Sequence, residues 1–164
     1  MKIFLFSFII MFVFFSTGVA QTTNMNNKCR KDSKELWREL ADSGRHNDAI
    51  NILLDSIQKS KKKDKYRNNW HLGQLYACID EYDIAIEYIK KSTGCFDVIM
   101  DREWRLYYKG TIAFLKKDKR KLKVCNTRLW NKHSDYYYIN ACRLNALYEN
   151  FEKPYRVAFG MSCK

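Results

Sequence analysis

The chain has 164 residues, a formal net charge of +12 and a single proline. This length suits one domain with a sizeable core, and the scarcity of proline and of glycine or serine tracts leaves little room for linkers or strand-rich architecture. The basic balance favours anionic partners without specifying any, and solubility explains it equally well.

Residues 1–20 are predicted to be a secretory signal peptide. Lys2 precedes an apolar run over residues 3–15, and Gly18-Val19-Ala20 supplies the small residues that signal peptidase accepts. The run is short for a spanning helix and a cleavage site follows it, although an uncleaved anchor is the alternative. The mature chain is therefore expected to start near Gln21, with no transmembrane segment after cleavage.

All six cysteines lie beyond that cleavage site, and an even number in an exported chain predicts at least one disulfide. Fifteen pairings are open for a full set of bridges, and buried free thiols are an alternative for some of the six. No C-x-x-C spacing occurs, which disfavours a zinc ribbon or a thioredoxin-like redox site. The cysteines are Cys29, Cys78, Cys95, Cys125, Cys142 and Cys163.

Helical periodicity begins in the stretch DSKELWRELADSG, residues 32–44. Its apolar residues recur at helical spacing, Asp32 and Glu35 have the spacing of a capping box, and Gly44 is predicted to stop the helix. A second helix is predicted from about His46. Its apolar face carries Ala49, Ile50, Leu53, Leu54 and Ile57.

The same pattern returns 36 residues later, which indicates a repeated helical hairpin. Leu36, Leu40, Ala41, Ala49, Ile50, Leu53 and Ser56 correspond to Leu72, Tyr76, Ala77, Ala85, Ile86, Ile89 and Ser92. A fainter third hairpin contains Gly110 and has its second helix at about residues 119–131. A fourth has one helix to about Glu149 and then a short helix whose first turn holds Pro154, where proline is tolerated.

Gly73 lies inside a predicted helix, where glycine costs about 1 kcal/mol relative to alanine. Gly110 recurs 37 residues further on, at the same place in its hairpin. A missing side chain at this place predicts close approach of the paired or the neighbouring helix, against small partners such as Ala85. Because no strand precedes either glycine, a phosphate-binding glycine loop is not expected.

At these residues the chain resembles the tetratricopeptide repeat family. The resemblance rests on Trp70, Leu72-Gly73, Tyr76-Ala77, Tyr82, Ala85 and Tyr88-Ile89. It covers about residues 33–93 and is weak beyond them; Asp80 stands where the first unit has Gly44, and the 36–37-residue units exceed the family's 34. The resemblance implies an all-α solenoid of about four antiparallel hairpins, a superhelix whose first helices line a concave, protein- or peptide-binding groove. Residues 21–32 are then a flexible N-terminal segment, and residues 33–164 form the repeat domain.

A stripe beside the core residues of each first helix is the predicted ligand site. It grades from a basic entrance to an aromatic, hydrogen-bonding floor, and Trp, Tyr and Arg dominate binding hot spots. The alternative is that Trp70 and Trp104 fill packing between hairpins. From the first to the fourth hairpin, the stripe comprises Lys31, Lys34 and Arg38; Arg67, Trp70 and Gln74; Trp104, Tyr107 and Thr111; and Tyr137, Asn140 and Leu144.

Two lysine clusters, residues 59–67 and 116–123, fall at predicted turns and are interpreted as solvated edges. An anionic envelope polymer is their possible partner, whereas nucleic acid is not expected as a partner of an exported chain. The stretch SDYYYIN, residues 134–140, is not interpreted as a stacking platform, because its three tyrosines would point in different directions on a helix.

No catalytic site, metal site or cofactor is predicted. His46, His71 and His133 lack the spacing of a zinc hydrolase, and the acidic clusters lack that of a calcium loop. Cys125 and His133 could meet in space as nucleophile and base, so a cysteine-dependent enzyme or redox protein is the alternative. The leading prediction is a non-enzymatic scaffold, periplasmic or extracellular, that binds a protein or peptide.

Overall fold

The computed structural model describes residues 36–93 and 101–161, except the side chains of residues 62 and 63. Every regular element in these ranges is helical, and successive helices from α2 onward pack together, which confirms the predicted all-α, solenoid-like fold. The helices are α1 (residues 36–42), α2 (His46–Lys59), α3 (Lys62–Cys78), α4 (Tyr82–Lys91), α5 (Arg102–Leu115), α6 (Lys119–Trp130), α7 (Tyr138–Glu149) and α8 (Tyr155–Gly160), with a 3-10 turn at Asp135–Tyr137. The predicted signal peptide, the segment 21–32, Lys31 and Lys34 lie outside the described residues.

The apolar faces of these helices form two buried clusters. The smaller cluster joins α2 and α3 through residues such as Leu53 and Leu72. The larger one extends from α3 to α8 and includes Phe114, Leu144 and Tyr155. Burial of one such side chain contributes roughly 1.5–3 kcal/mol. Packing of these faces, more than intrinsic helix propensity, therefore holds the short helices in place.

The first three hairpins turn through one repeated backbone geometry. Gly44, Asp80 and Lys117, which follow α1, α3 and α5, have positive φ angles of 81°, 63° and 56°. In each turn the next residue donates its backbone N–H to a carbonyl five residues earlier, as in the Schellman motif of helix C-termini. These bonds join Arg45 to Leu40 at 2.8 Å, Glu81 to Tyr76 at 3.0 Å and Asp118 to Ala113 at 2.8 Å. The predicted helix stop at Gly44 is confirmed, and the same stop recurs in the third hairpin.

The helix that follows each turn also begins in the same way in all four hairpins. The residue at the N-cap of α2, α4, α6 and α8 accepts a bond from the amide four positions later, and that later residue is fully buried. The pairs, with the N-cap first, are Arg45 and Ala49, Glu81 and Ala85, Asp118 and Leu122, and Pro154 and Ala158. All four second helices therefore begin with a buried residue at the same position in their first turns. Pro154 is the N-cap of α8, one position before the first turn in which the sequence places it.

Gly73 and Gly110 allow close helix crossings, as the sequence predicts. A Cβ added to Gly73 would lie 2.6 Å from Ile89 Cγ1 and 2.9 Å from the Ala85 carbonyl oxygen. One added to Gly110 would lie 2.6 Å from Leu144 Cδ1. Gly73 therefore brings α3 against the backbone of its hairpin partner α4, whereas Gly110 brings α5 against Leu144 of the neighbouring α7 and, at 3.2 Å, against Cys125 Cβ of its hairpin partner α6.

The last hairpin differs from the others in where its second helix packs. Tyr155, the first residue of α8, is fully buried, and its backbone N–H donates to the Tyr82 hydroxyl at 3.1 Å. Its ring centroid lies 5.9 Å from that of Phe114. The helix also contacts α3. Thus α8 packs on its hairpin partner α7 and also lies against α3 and α5, which are the first helices of the second and third hairpins.

Candidate functional site

The predicted groove residues lie on the expected helices but differ in exposure. Trp70, Tyr107, Thr111 and Leu144 are buried, so a ligand outside the molecule does not reach their side chains in this conformation. This corrects the expectation that they form an open floor, because their surface is used in packing. Arg38 and Arg67 are exposed, whereas Gln74, Trp104, Tyr137 and Asn140 are half-buried.

Trp70 and Trp104 pack on each other between α3 and α5. Their ring centroids are 4.7 Å apart, and the ring of Tyr107 lies 5.3 Å from Trp70 and 5.9 Å from Trp104. Aromatic pairs at such separations contribute about 0.5–1.5 kcal/mol beyond their buried area. The two tryptophans thus fill packing between hairpins, which is the alternative given for them in the sequence analysis.

His71 links the groove stripe of α3 to α1. Its Nδ1 lies 3.2 Å from Gln74 Oε1, to which it donates as the Nδ1–H tautomer, and its ring centroid lies 4.9 Å from that of Trp37. Burial lowers the pKa of His71 to about 4, so the ring is neutral at pH 7. The positive charges that act in the same direction belong to Arg38, Arg67 and Arg143.

The two exposed arginines of the stripe make surface contacts. Arg38 Cζ lies 4.7 Å from the Trp37 ring centroid, and Arg67 pairs with Asp64 at 2.9 Å. Exposed pairs of this kind contribute about 0–1 kcal/mol. Their guanidinium groups are therefore the accessible basic part of the predicted groove.

Two tyrosine hydroxyls, those of Tyr107 and Tyr155, are buried without a hydrogen-bond partner in the described part of the chain. Burial raises the pKa of both, that of Tyr107 to about 12, although Arg143 near Tyr107 and Gln74 near Tyr155 act in the opposite direction. A buried, unsatisfied polar group costs roughly 1–3 kcal/mol. Arg143 and Gln74 are therefore the polar side chains that accompany these two hydroxyls in the otherwise apolar region where α8 meets α5.

A second surface is exposed and apolar. It lies outside the predicted stripe, although Tyr137, which belongs to the stripe, is its neighbour in the chain. It lies where α6 ends, where the 3-10 turn follows and where α7 begins. Its exposed fraction reaches 84% at Tyr136 and 51% at Ile139. The His133 ring centroid lies 6.3 Å from that of Trp130 and 5.6 Å from that of Tyr138. We call Trp130, His133, Tyr136, Tyr138 and Ile139 the aromatic edge.

The first turn of α5 holds the aromatic edge in place. Asp101 caps α5 by accepting the Trp104 N–H at 2.9 Å, and it also accepts a hydrogen bond from the Tyr137 hydroxyl. Burial and this carboxylate raise the pKa of Tyr137, so the hydroxyl stays protonated and donates. Glu103 Oε2 accepts the backbone N–H of Ser134 at 2.8 Å and its hydroxyl at 2.9 Å. Two acidic side chains therefore tie the turn to α5.

Sequence reasoning misses the aromatic edge because it assigns residues 134–140 to one helix. The three tyrosines do point in different directions, as predicted: Tyr137 bonds Asp101, whereas Tyr136 and Tyr138 are exposed. Ser134 is the available signal, because serine is a preferred N-cap residue and here it occupies the N-cap of the 3-10 turn. A new element beginning at that serine turns two of the aromatic side chains outward.

The described free thiols are protonated at neutral pH. Cys78 and Cys125 are free, and burial raises the pKa of Cys78 to about 11 and also raises that of Cys125. A cysteine nucleophile reacts as the thiolate. Cys142, the third described cysteine, is buried. Since no disulfide joins two described cysteines, the number and pairing of bridges stay predictions.

Within residues 36–93 and 101–161, no group of three or more potential metal-ligating side chains occurs. No helix in the same ranges has the length and apolarity needed to cross a membrane. Comparisons with protein-family models, with curated proteins and with solved structures give no match. The fold defines a helical-hairpin protein, and its resemblance to tetratricopeptide repeats rests on the residues of this chain.

Proposed function

We propose that the protein is an exported, non-enzymatic, tetratricopeptide-like module that binds a protein or peptide partner. The observation that carries the proposal is the aromatic edge. Grouped exposed aromatic side chains mark interaction sites, and Trp and Tyr are enriched where binding energy concentrates. Trp130, Tyr136 and Tyr138 meet both conditions, since each exposes at least 41% of its surface.

The hairpins support this proposal by presenting the aromatic edge on a fixed frame. Asp101 and Glu103 bond to the turn that carries the exposed rings, so little side-chain or loop ordering remains to be done on binding. Preorganisation of this kind increases affinity by reducing the entropy lost in the complex. The export part of the proposal rests on the signal-peptide pattern of residues 1–20 and on the even cysteine count.

A second candidate function is attachment to an anionic envelope polymer, which α6 favours. Its sequence KRKLKVCNTRLW contains basic residues and no acidic one, and a shallow depression on it is lined by Lys123, Val124, Thr127 and Arg128. Such attachment weakens as salt screens the charges. Binding that persists unchanged in high salt excludes this candidate. A cysteine-dependent enzyme is less favoured, because the described free thiols are protonated.

Partner capture from the native envelope tests the proposed binding role. The double variant Tyr136→Ala with Ile139→Ala removes two exposed members of the aromatic edge, and exposed substitutions of this kind usually change stability by less than about 0.5 kcal/mol. Val157→Ala, at an exposed position of α8, is the matched control. We expect the double variant to recover about tenfold less partner than wild type, as for loss of a hot spot, and the control to recover as much.

Equal recovery by the double variant and wild type would remove the aromatic edge as the binding surface. If wild type reproducibly recovers no protein or peptide, binding through the aromatic edge is wrong. Trp70→Ala is a poor variant for this test, because Trp70 is only 7% exposed and its loss would disturb the packing between hairpins.

A further inference from the structure

The helix α8 lies against α3, α5 and its hairpin partner α7, with Tyr155 near Gln74 and Tyr107 of the predicted groove stripe. Tyr155 and Ala158 are fully buried there, and the Phe159 ring stacks on that of Tyr155 with 5.2 Å between centroids. Arg156 and Val157 are exposed on the opposite side of the helix. An amphipathic helix that lays its apolar side into a groove is a recurring mode of peptide recognition. In its contacts, α8 resembles a bound peptide.

Polar and aromatic contacts from three helices position α8 on this face. The Tyr82 hydroxyl of α4 accepts the Tyr155 N–H at 3.1 Å, and Phe114 of α5 lies edge-on to the Tyr155 ring. Arg143 of α7 places its Cζ 5.2 Å from the Phe159 ring centroid, a cation–π arrangement. The face therefore selects two aromatic side chains four positions apart.

The positive charge of Arg156, on the exposed side of α8, affects the pKa values of two residues in earlier helices. The positive charge of Arg156 contributes to the pKa values of both Cys78 and His46, although burial is the larger cause in each case. Cys78 is the last residue of α3 and His46 is the first of α2. Arg156 is therefore close enough to both side chains to act on them through its charge.

The attachment of α8 has features of a reversible contact. The helix has 6 residues, which is too short to be stable in isolation. Docking also buries the Tyr155 hydroxyl beside the Gln74 side chain, with no close hydrogen bond among the described residues. Water would solvate this hydroxyl after release, so part of the free energy lost on undocking would be recovered.

We propose that α8 is an intramolecular ligand on a peptide-binding face formed by α3, α5 and α7. The external ligand of this face is a helical peptide with aromatic residues at positions i and i+4 and a small residue at i+3, the pattern of Tyr155, Phe159 and Ala158. Release of α8 uncovers the face, and a partner segment with this pattern takes its place. This inference rests on the proposed binding function and names a ligand class for a surface distinct from the aromatic edge.

A peptide of residues 152–161, EKPYRVAFGM, tests the proposal in trans. The labelled peptide is titrated by fluorescence anisotropy into purified wild type, Tyr155→Ala and Val157→Ala proteins, up to millimolar concentration, since a short tether supplies an effective concentration of this order. We expect Tyr155→Ala to bind it about tenfold more tightly than wild type and the Val157→Ala control. A peptide with alanine in place of its tyrosine should bind none of them. Equal affinities, or no binding by folded Tyr155→Ala, overturn the proposal.

Hydrogen exchange in wild type provides the second measurement if Tyr155→Ala fails to unfold cooperatively. The amides of Val157 and Ala158 should exchange about tenfold faster than those of buried residues in α3, because α8 opens locally. Tyr82→Phe, which removes the acceptor of the Tyr155 N–H, should accelerate α8 exchange further and leave α3 unchanged. Equal protection of α8 and α3 in wild type would show that α8 is a fixed part of the core and would overturn the proposal.

The two proposals fail separately. Partner capture through the aromatic edge does not require α8 to move. If α8 proves to be fixed and the Tyr136→Ala, Ile139→Ala protein loses capture, the binding function is retained and the intramolecular ligand is rejected. If the Tyr155→Ala protein binds the peptide but wild type captures no partner, the ligand class of the α8 face is supported and the aromatic edge is rejected as a binding surface.

Discussion

In the second and third hairpins the second helix packs beside the first, whereas the second helix of the last hairpin packs on its partner α7 and also on α3 and α5 of earlier hairpins. Asp80 and Lys117 turn the chain through left-handed backbone in the first case. No positive φ occurs between α7 and α8 in the described chain, and Pro154 caps α8. The same register of buried residues serves both arrangements. The last hairpin thus differs from the others in its turn backbone and in the additional contacts of its second helix with earlier hairpins.

The largest expected effect is a loss of stability when a core residue of the third hairpin is removed, compared with one of the last hairpin. Phe114→Ala, in α5, should lower the free energy of unfolding by about 3–5 kcal/mol, as for other buried aromatic residues. Tyr155→Ala should cost less, because the loss is limited to the free energy of opening α8 locally. Urea denaturation of the two variants measures the difference. Equal losses would mean that the last hairpin is as integral to the fold as the third.

Acid should weaken the first two hairpins through His71. Its folded pKa of about 4 lies below the ordinary 6.5, so the unfolded chain takes up the proton first as the pH falls. The stability contribution is complete above pH 6.5 and declines between pH 6.5 and 4, by at most about 3 kcal/mol. Unfolding of wild type and His71→Gln at pH 7 and 4.5 isolates this dependence. Parallel losses in the two proteins would contradict it.

The two helix-crossing glycines should differ in their tolerance of alanine. Gly73→Ala should destabilise by about 1–3 kcal/mol through overpacking, because the added methyl meets the Ala85 carbonyl in the hairpin partner. Gly110→Ala should cost less, since the δ-methyl groups of Leu144 can rotate away. Thermal unfolding of both variants gives the order. A greater loss for Gly110→Ala would show that the crossing of α5 with α7 is the tighter one.

The smallest effects belong to the turns themselves. Gly44→Ala should destabilise by about 1 kcal/mol, because alanine is strained at a φ of 81°. Asp80→Gly should stabilise by less than about 1 kcal/mol, as it relieves the same strain but loses the Tyr82 hydroxyl bond to Asp80 Oδ1 at 3.0 Å. Chemical denaturation of the pair should show opposite signs. Shifts of the same sign would mean that the turn backbones are not equivalent.

The sequence predicts the fold better than the binding surfaces. The helix stop at Gly44 and the crossing at Gly73 are confirmed, because both depend on local backbone geometry and a nearby partner in the repeat. Tyr107 was expected in an open groove yet is buried. A helical stripe of aromatic residues has the same spacing whether it contacts water or another helix, so periodicity cannot assign its exposure.

By itself, the sequence determined the all-helical class, the hairpin register and the glycine crossings, since these follow from apolar spacing and backbone sterics within about 40 residues, the span of one repeat. Only the tertiary structure decided that α8 packs on α3 and α5 and that Trp130 and Tyr136 face outward. Both outcomes depend on contacts between residues distant in the chain, such as Tyr82 with Tyr155 and Glu103 with Ser134. Local sequence patterns do not predict which distant residues pair in this way.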